Sequence, residues 1–276
     1  MMSLVRSESK RFWMRRMTWY FPAILSLVLL IGAIIAYFVI TNDDKITVNF
    51  VHDIAGGPHA PTVLGPTVTL IQIMAFVVGA SFVGADIKTG MLEHLLTWEP
   101  RRLRLLVARI IAGAWGSAVL SLAVSVWTVA SMYAMAVSAG TAGGPTGEFW
   151  VAVGASIGRT ALAAGLFCTL GLSITLVLNN SIGSIVGFVI YWFVVENVVM
   201  TTFLPKVGAY LPVRNASAFA SGQPIERMDG SVFSSQPGQL EFIEVHDYRV
   251  AGLLMAGYVG LAFAGAAMVF SRRDIS

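Results

Sequence analysis

The chain has 276 residues, 56% of them hydrophobic and 12% charged, with a mean hydropathy of +0.75. A soluble domain carries about a quarter charged residues, so this composition excludes an ordinary soluble enzyme and indicates an integral membrane protein. Its one cysteine, Cys168, lies in an apolar run, which excludes an intrachain disulfide and any cysteine-rich metal motif. The formal charge of +3 needs a topological reading before it is taken as a sign of nucleic acid.

Residues 1–21 alternate Leu4, Phe12, Trp13, Met17 and Tyr20 with Arg6, Lys10, Arg11, Arg15 and Arg16. This pattern suits an amphipathic helix on an anionic leaflet. A signal peptide is a poor reading, because no small-residue cleavage site follows. Crossing roughly 30 Å of hydrocarbon takes about 20 apolar residues. Six such spans are expected, at about 22–41, 63–85, 105–138, 150–178, 182–204 and 250–270.

Lysine and arginine counts set the expected orientation. With the N-terminus inside, residues 1–21 hold five, residues 86–109 hold five (Lys88, Arg101, Arg102, Arg104, Arg109) and the tail two (Arg272, Arg273). Five fall outside (Lys45, Lys206, Arg214, Arg227, Arg249), and Arg159 lies within a span. Twelve against five puts both termini in the cytoplasm. The positive excess then reflects topology, and no nucleic-acid partner is expected. The fourth and fifth spans are joined by only "NNS", a tight hairpin, while 204–248 forms a long external segment with partial helical structure.

The chemical motifs are sparse. No G-x-x-x-x-G-K-[ST] occurs, so the chain has no P-loop. "ASGQP" at 220–224 resembles the signature loop of an ATPase but has no Walker motif before it. "GASIG", Gly154 to Gly158, matches a nucleophile elbow around Ser156, yet it lacks a histidine partner, and its small-xxx-small spacing suits helix packing. His52, Asp53, His59, His246 and Asp247 all fall outside on this topology, but their spacing matches no compact metal motif, so no metal is expected. "NAS" at 215–217 is a nominal glycosylation sequon.

Two charges within spans are more informative, because an ionisable group at mid-bilayer costs roughly 2.5–3.5 kcal/mol and normally faces protein or water. Arg159 and Glu196 each lie about nine residues, or roughly 13 Å, from the outer end of consecutive spans. An ion pair between them is the expected arrangement, with contact to substrate as the alternative.

Between the second and third spans, Met91, Leu92, Leu95, Leu96 and Trp98 share one helical face, and Glu93, His94, Thr97 and Glu99 lean to the other. Pro100 ends the helix, and Arg101, Arg102 and Arg104 follow. A short amphipathic cytoplasmic helix results, which could rest on lipid or dock in a partner's groove.

Together these stretches resemble the permease subunits of bacterial type-2 ABC exporters. The resemblance runs through "SESKRFWMRRMTW", then Asp86…Gly90-Met91-Leu92…Leu95-Leu96…Pro100-Arg101…Arg109, and "YLPVRNASAF" after the fifth span. Met91 stands where that family usually has Thr, and Asp86 where Glu is commoner. The resemblance implies an all-α protein of six transmembrane helices in the bacterial cytoplasmic membrane, without enzymatic activity of its own. It makes the N-terminal element a connecting helix and the 86–104 loop a coupling loop. Met91, Leu92, Leu95, Leu96, Trp98, Glu99 and Arg101 would then dock on an ATPase. It further implies a second permease copy or homologue and ABC-type ATPase chains that bind ATP and Mg, with no cofactor bound by this chain. Because the family's second and fifth spans line the central path, Gln72, Phe76 and Asn197 become substrate-path candidates. The expected function is ATP-driven export of a hydrophobic or amphipathic substrate such as a drug, antibiotic, peptide or lipid. The rivals are an ion-coupled secondary transporter using Arg159 and Glu196, and an intramembrane enzyme using Ser156 or the external His and Asp residues.

Overall fold

Six apolar helices, each long enough to cross a bilayer, dominate the residues described by the computed structural model, which are 1–42, 65–91, 101–138, 147–199, 205–229 and 241–272. The chain is a multi-pass membrane protein. Helix α1 spans Met2–Met14, α2 Arg16–Asn42, α3 Gly65–Lys88, α4 Arg102–Ser138 and α5 Gly147–Leu178. Helix α6, Ser181–Ile190, continues as a π-helical stretch over Tyr191–Val199. A short α7, Pro205–Gly208, and α8, Pro212–Ser221, precede two antiparallel strands, β1 Ile225–Asp229 and β2 Glu241–His246, and α9 covers Tyr248–Arg272. The strand pair departs from the purely helical expectation. The described part of the 204–248 segment carries this strand pair as well as helices.

The first membrane helix begins at Arg16 rather than near Pro22, which sits inside it. Arg15 breaks the chain in an extended conformation. The break is held by Thr18, whose hydroxyl donates to the Phe12 carbonyl at 2.8 Å, and by the Trp19 indole, which donates to the Trp13 carbonyl at 3.0 Å. Two carbonyls at the end of α1 thereby find donors.

Helices α3 and α5 form the centre. In each, 72% of the apolar stretch is buried, against 22% in α2, 17% in α6 and 22% in α9. Glycine permits their close approach: a Cβ on Gly79 would lie 2.1 Å from the Cys168 carbonyl oxygen, and one on Gly171 2.3 Å from that of Phe76. Each helix thus uses a glycine to seat the other's backbone.

The expected hairpin is present. Asn179, at φ 54°, turns the chain, and the Asn180 side chain accepts hydrogen bonds from Ile182 N at 3.0 Å and Gly183 N at 3.1 Å. This turn sits level with Gly84 of α3, whose Cβ would lie 2.2 Å from that of Ser181. The start of α2, the end of α3, the start of α4 and the end of α9 share this side, which is the N-terminal face. The opposite, distal face carries α7, α8 and the strand hairpin. At 32 residues α5 is about 48 Å long, more than the roughly 30 Å of hydrocarbon, so it projects on the distal side.

Candidate functional sites

On the N-terminal face, three arginines and two carboxylates lie between α1, α3 and α4. Arg109 of α4 is 2% exposed, and its Nη2 donates to Asp86 Oδ2 at 2.6 Å, while its Nε stands 3.2 Å from Glu8 Oε2. Arg11 donates to Glu8 Oε1 at 2.8 Å and to Asp86 at 3.3 Å. Arg15 closes the other side of Asp86, donates to the Ser81 carbonyl at 3.2 Å and stacks on the Phe82 ring at 4.9 Å. Helix α1 delivers these groups because Phe12, fully buried, packs edge-on against Phe82 at 5.3 Å and against the open face of Gly116. The element expected to lie on a leaflet is therefore fastened to the bundle along one side. Met2, Arg6, Met14 and Trp19 stay exposed.

The buried members of this cluster, Glu8, Asp86 and Arg109, depend on one another, since a lone charge out of water costs several kcal/mol. Asp86 and Arg109 bound the loop between α3 and α4. The cluster thus ties both ends of that loop to α1. The sequence places Arg11 and Arg15 on the polar face of an amphipathic stretch and Asp86 and Arg109 in the motif of the resemblance, without indicating that they meet. An acid and an arginine just inside apolar spans, facing two further arginines in an amphipathic stretch, were the available signal.

Of the expected docking residues, Met91 and Arg101 are exposed at the two edges of this loop. Helix α3 ends at Lys88, and Gly90, at φ 66°, turns the chain out of it. Leu92, Leu95, Leu96, Trp98 and Glu99 lie outside the described residues, as do His52, Asp53 and His59.

On the distal face, Arg159 and Glu196 do not pair as expected. Each meets one end of α8. Glu196, 6% exposed, accepts a hydrogen bond from the Arg214 backbone N–H in the first turn of α8 at 2.5 Å. Arg159 donates to the Ala220 and Ser221 carbonyls at the last turn, both at 3.4 Å, and sits over the Tyr248 ring at 5.2 Å. An anion at the N-terminus and a cation at the C-terminus both complement the helix dipole. Measured from the Asn179–Asn180 turn, Arg159 lies nineteen residues, about 28 Å, up α5, and Glu196 at most about 22 Å up α6.

The Ser156 hydroxyl donates to the Ala220 carbonyl at 3.0 Å, which spends its proton on structure. A Cβ on Gly154 or Gly158 would meet nothing within 4 Å, so the expected helix-packing role of that motif is not seen. Asn215 is fully buried, and its amide donates to the Ala209 and Leu211 carbonyls, which is unsuited to a glycan acceptor. His246 Nε2 meets Asn215 Oδ1 at 2.9 Å, and the ring stacks on Tyr210. Burial pushes the imidazole pKa below its ordinary value. Among the described residues no group of three His, Cys, Asp or Glu side chains could hold a metal.

The substrate-path candidates separate. Gln72 is fully buried, with neither amide atom hydrogen-bonded, and Phe76 stacks on Phe188 at 3.9 Å inside the core. Phe76 also lines a cavity of about 430 Å³ with Leu170, Phe188 and Tyr258, and Asn197 borders a cleft of about 620 Å³ between the distal end of α3, the π-helical stretch and α8. No protein-family model matches the chain, and no curated protein matches it significantly.

Proposed function

We propose that the chain is the membrane-spanning permease subunit of an ATP-binding-cassette exporter, without hydrolytic activity of its own. Separate ATPase chains would bind ATP and Mg, and a second permease copy would complete the transporter in the bacterial cytoplasmic membrane. Both termini and the 86–104 loop would face the cytoplasm.

The observation that carries this reading is the ion cluster. Asp86 near the end of α3 and Arg109 in α4 flank the loop whose 91–99 stretch is expected from its sequence to form an amphipathic helix, and both are bonded to α1. Force applied to the loop by an ATPase would move α1, α3 and α4 together, as transmission from a soluble motor to the membrane requires. Two ATPase states that contact the loop differently would then shift the bundle between inward and outward exposure.

The rivals gain less support. An ion-coupled relay through Arg159 and Glu196 loses its motivating pair, because each charge serves one end of α8. A serine enzyme loses its nucleophile to the Ala220 carbonyl.

Affinity purification of the full chain from native membranes tests the proposal. A P-loop ATPase should copurify and be lost on Leu95→Glu, with the permease still inserted. Absence of any ATPase from wild-type preparations overturns it.

A further inference from the structure

The distal cleft has one feature that neither α8 nor the bundle accounts for. Glu196 uses Oε1 to receive the N-terminus of α8, but its other carboxylate oxygen, Oε2, is buried and has no hydrogen-bond partner. A buried carboxylate oxygen without a donor is costly, of order 1–3 kcal/mol or more for a charged group. Such an atom in a cleft wall is a place where a donor is missing.

The surroundings define that donor. Thr69, Asn197 and Ser217 add small polar groups, and Leu70, Trp192 and Val213 supply apolar surface. The π-helical backbone matters here, because its wider turn brings Trp192, Glu196 and Asn197 onto one side, and Asn197 Nδ2 donates to the Trp192 carbonyl at 2.8 Å. Phe193, Val194 and Val198 beside them are exposed on the outer surface of the fifth span, where the hydrocarbon lies. A ligand here would have a polar head at Glu196 and an apolar body against Trp192, continuing to lipid.

We propose that this cleft binds the ammonium head of an amphipathic amine, with Glu196 Oε2 accepting its N–H groups and Trp192 packing on the adjoining methylenes. This names the substrate class and rests on the reading of the chain as a transport subunit. Ammonium N–H groups supply the donor that Oε2 lacks. Arg214, also on the cleft wall, suits a neighbouring anionic group and sets the opposite outcome of the test.

The full chain in nanodiscs of zwitterionic lipid is titrated with dodecylamine, dodecyltrimethylammonium and dodecyl sulfate, with empty nanodiscs as background. Saturable dodecylamine binding is expected, at least tenfold weaker for the trimethylated amine, which has no N–H, and for Glu196→Gln. Because Glu196→Gln also touches α8, Trp192→Ala is measured beside it and should weaken binding while leaving α8 protected from hydrogen exchange. Equal dodecylamine binding by wild type and Glu196→Gln, or a preference for dodecyl sulfate, overturns the proposal. Amine binding without a copurifying ATPase would leave the site standing and remove only the transporter reading.

Discussion

Asp86 is the residue on which the N-terminal face turns, because it accepts from Arg11, Arg15 and Arg109 at once. Asp86→Asn leaves Arg109 buried with one carboxylate fewer, and a loss of about 3–5 kcal/mol is expected. Arg11, 24% exposed, should cost about 1 kcal/mol or less when replaced by Ala. Denaturation in detergent micelles of the two variants separates these values. At the distal face, His246 gives a pH dependence. Its Nε2–H donates to Asn215, and its Nδ1 is buried without a partner, so a second proton would have no acceptor. With a folded-state pKa below the ordinary value near 6.5, the unfolded ring binds the proton first as pH falls. Stability of the α8 and hairpin region is therefore complete above about pH 6.5 and declines below it. Protection of the amides in 209–221, taken relative to the intrinsic exchange rate at each pH, should fall between about pH 7.5 and about 5.5 in the wild type, with a flatter response in His246→Gln. None of these partnerships was legible in the sequence. Glu8 and Arg109 are 101 positions apart, and only packing makes them neighbours.

Elements were more legible than pairings. Length and hydropathy located all six spans, since a helix that must satisfy its own backbone in lipid announces itself by an apolar run. Boundaries shifted where a local bond accompanies the break, as at Arg15–Thr18, where the Thr18 hydroxyl closes the end of α1 and the first span follows directly from Arg16. Helix α8 falls in the 204–248 segment where partial helical structure was expected without bounds, whereas the strand pair there was not expected. The α8 sequence "PVRNASAFAS" is only weakly apolar, and its place depends on charges from two other helices. Removing either charge withdraws one terminal interaction, worth about 1 kcal/mol. Arg159→Gln and Glu196→Gln should therefore each destabilise the distal region, and the double variant should lose roughly the sum. Rescue of one by the other in thermal unfolding would instead restore the direct ion pair expected from sequence.

For the whole molecule, the two faces divide the work. A rigid ionic clamp joins α1 to both ends of the 86–104 loop on one side, and a cleft beside Asn197 and Glu196 lies on the other, with the glycine-seated α3–α5 pair running between them. That arrangement suits a device that takes force at one face and changes access at the other. Cysteine accessibility measures this directly. Cys168 is fully buried and can stay, so Asn197→Cys provides a reporter at the cleft. If the transporter reading holds, then in vesicles containing the chain with an ATPase that copurifies with it, labelling of Asn197→Cys by a membrane-impermeant maleimide should change severalfold between ATP–vanadate and nucleotide-free conditions. The change should disappear when Asp86→Asn breaks the clamp. Labelling that ignores nucleotide while the ATPase is bound and turning over would contradict the transporter reading.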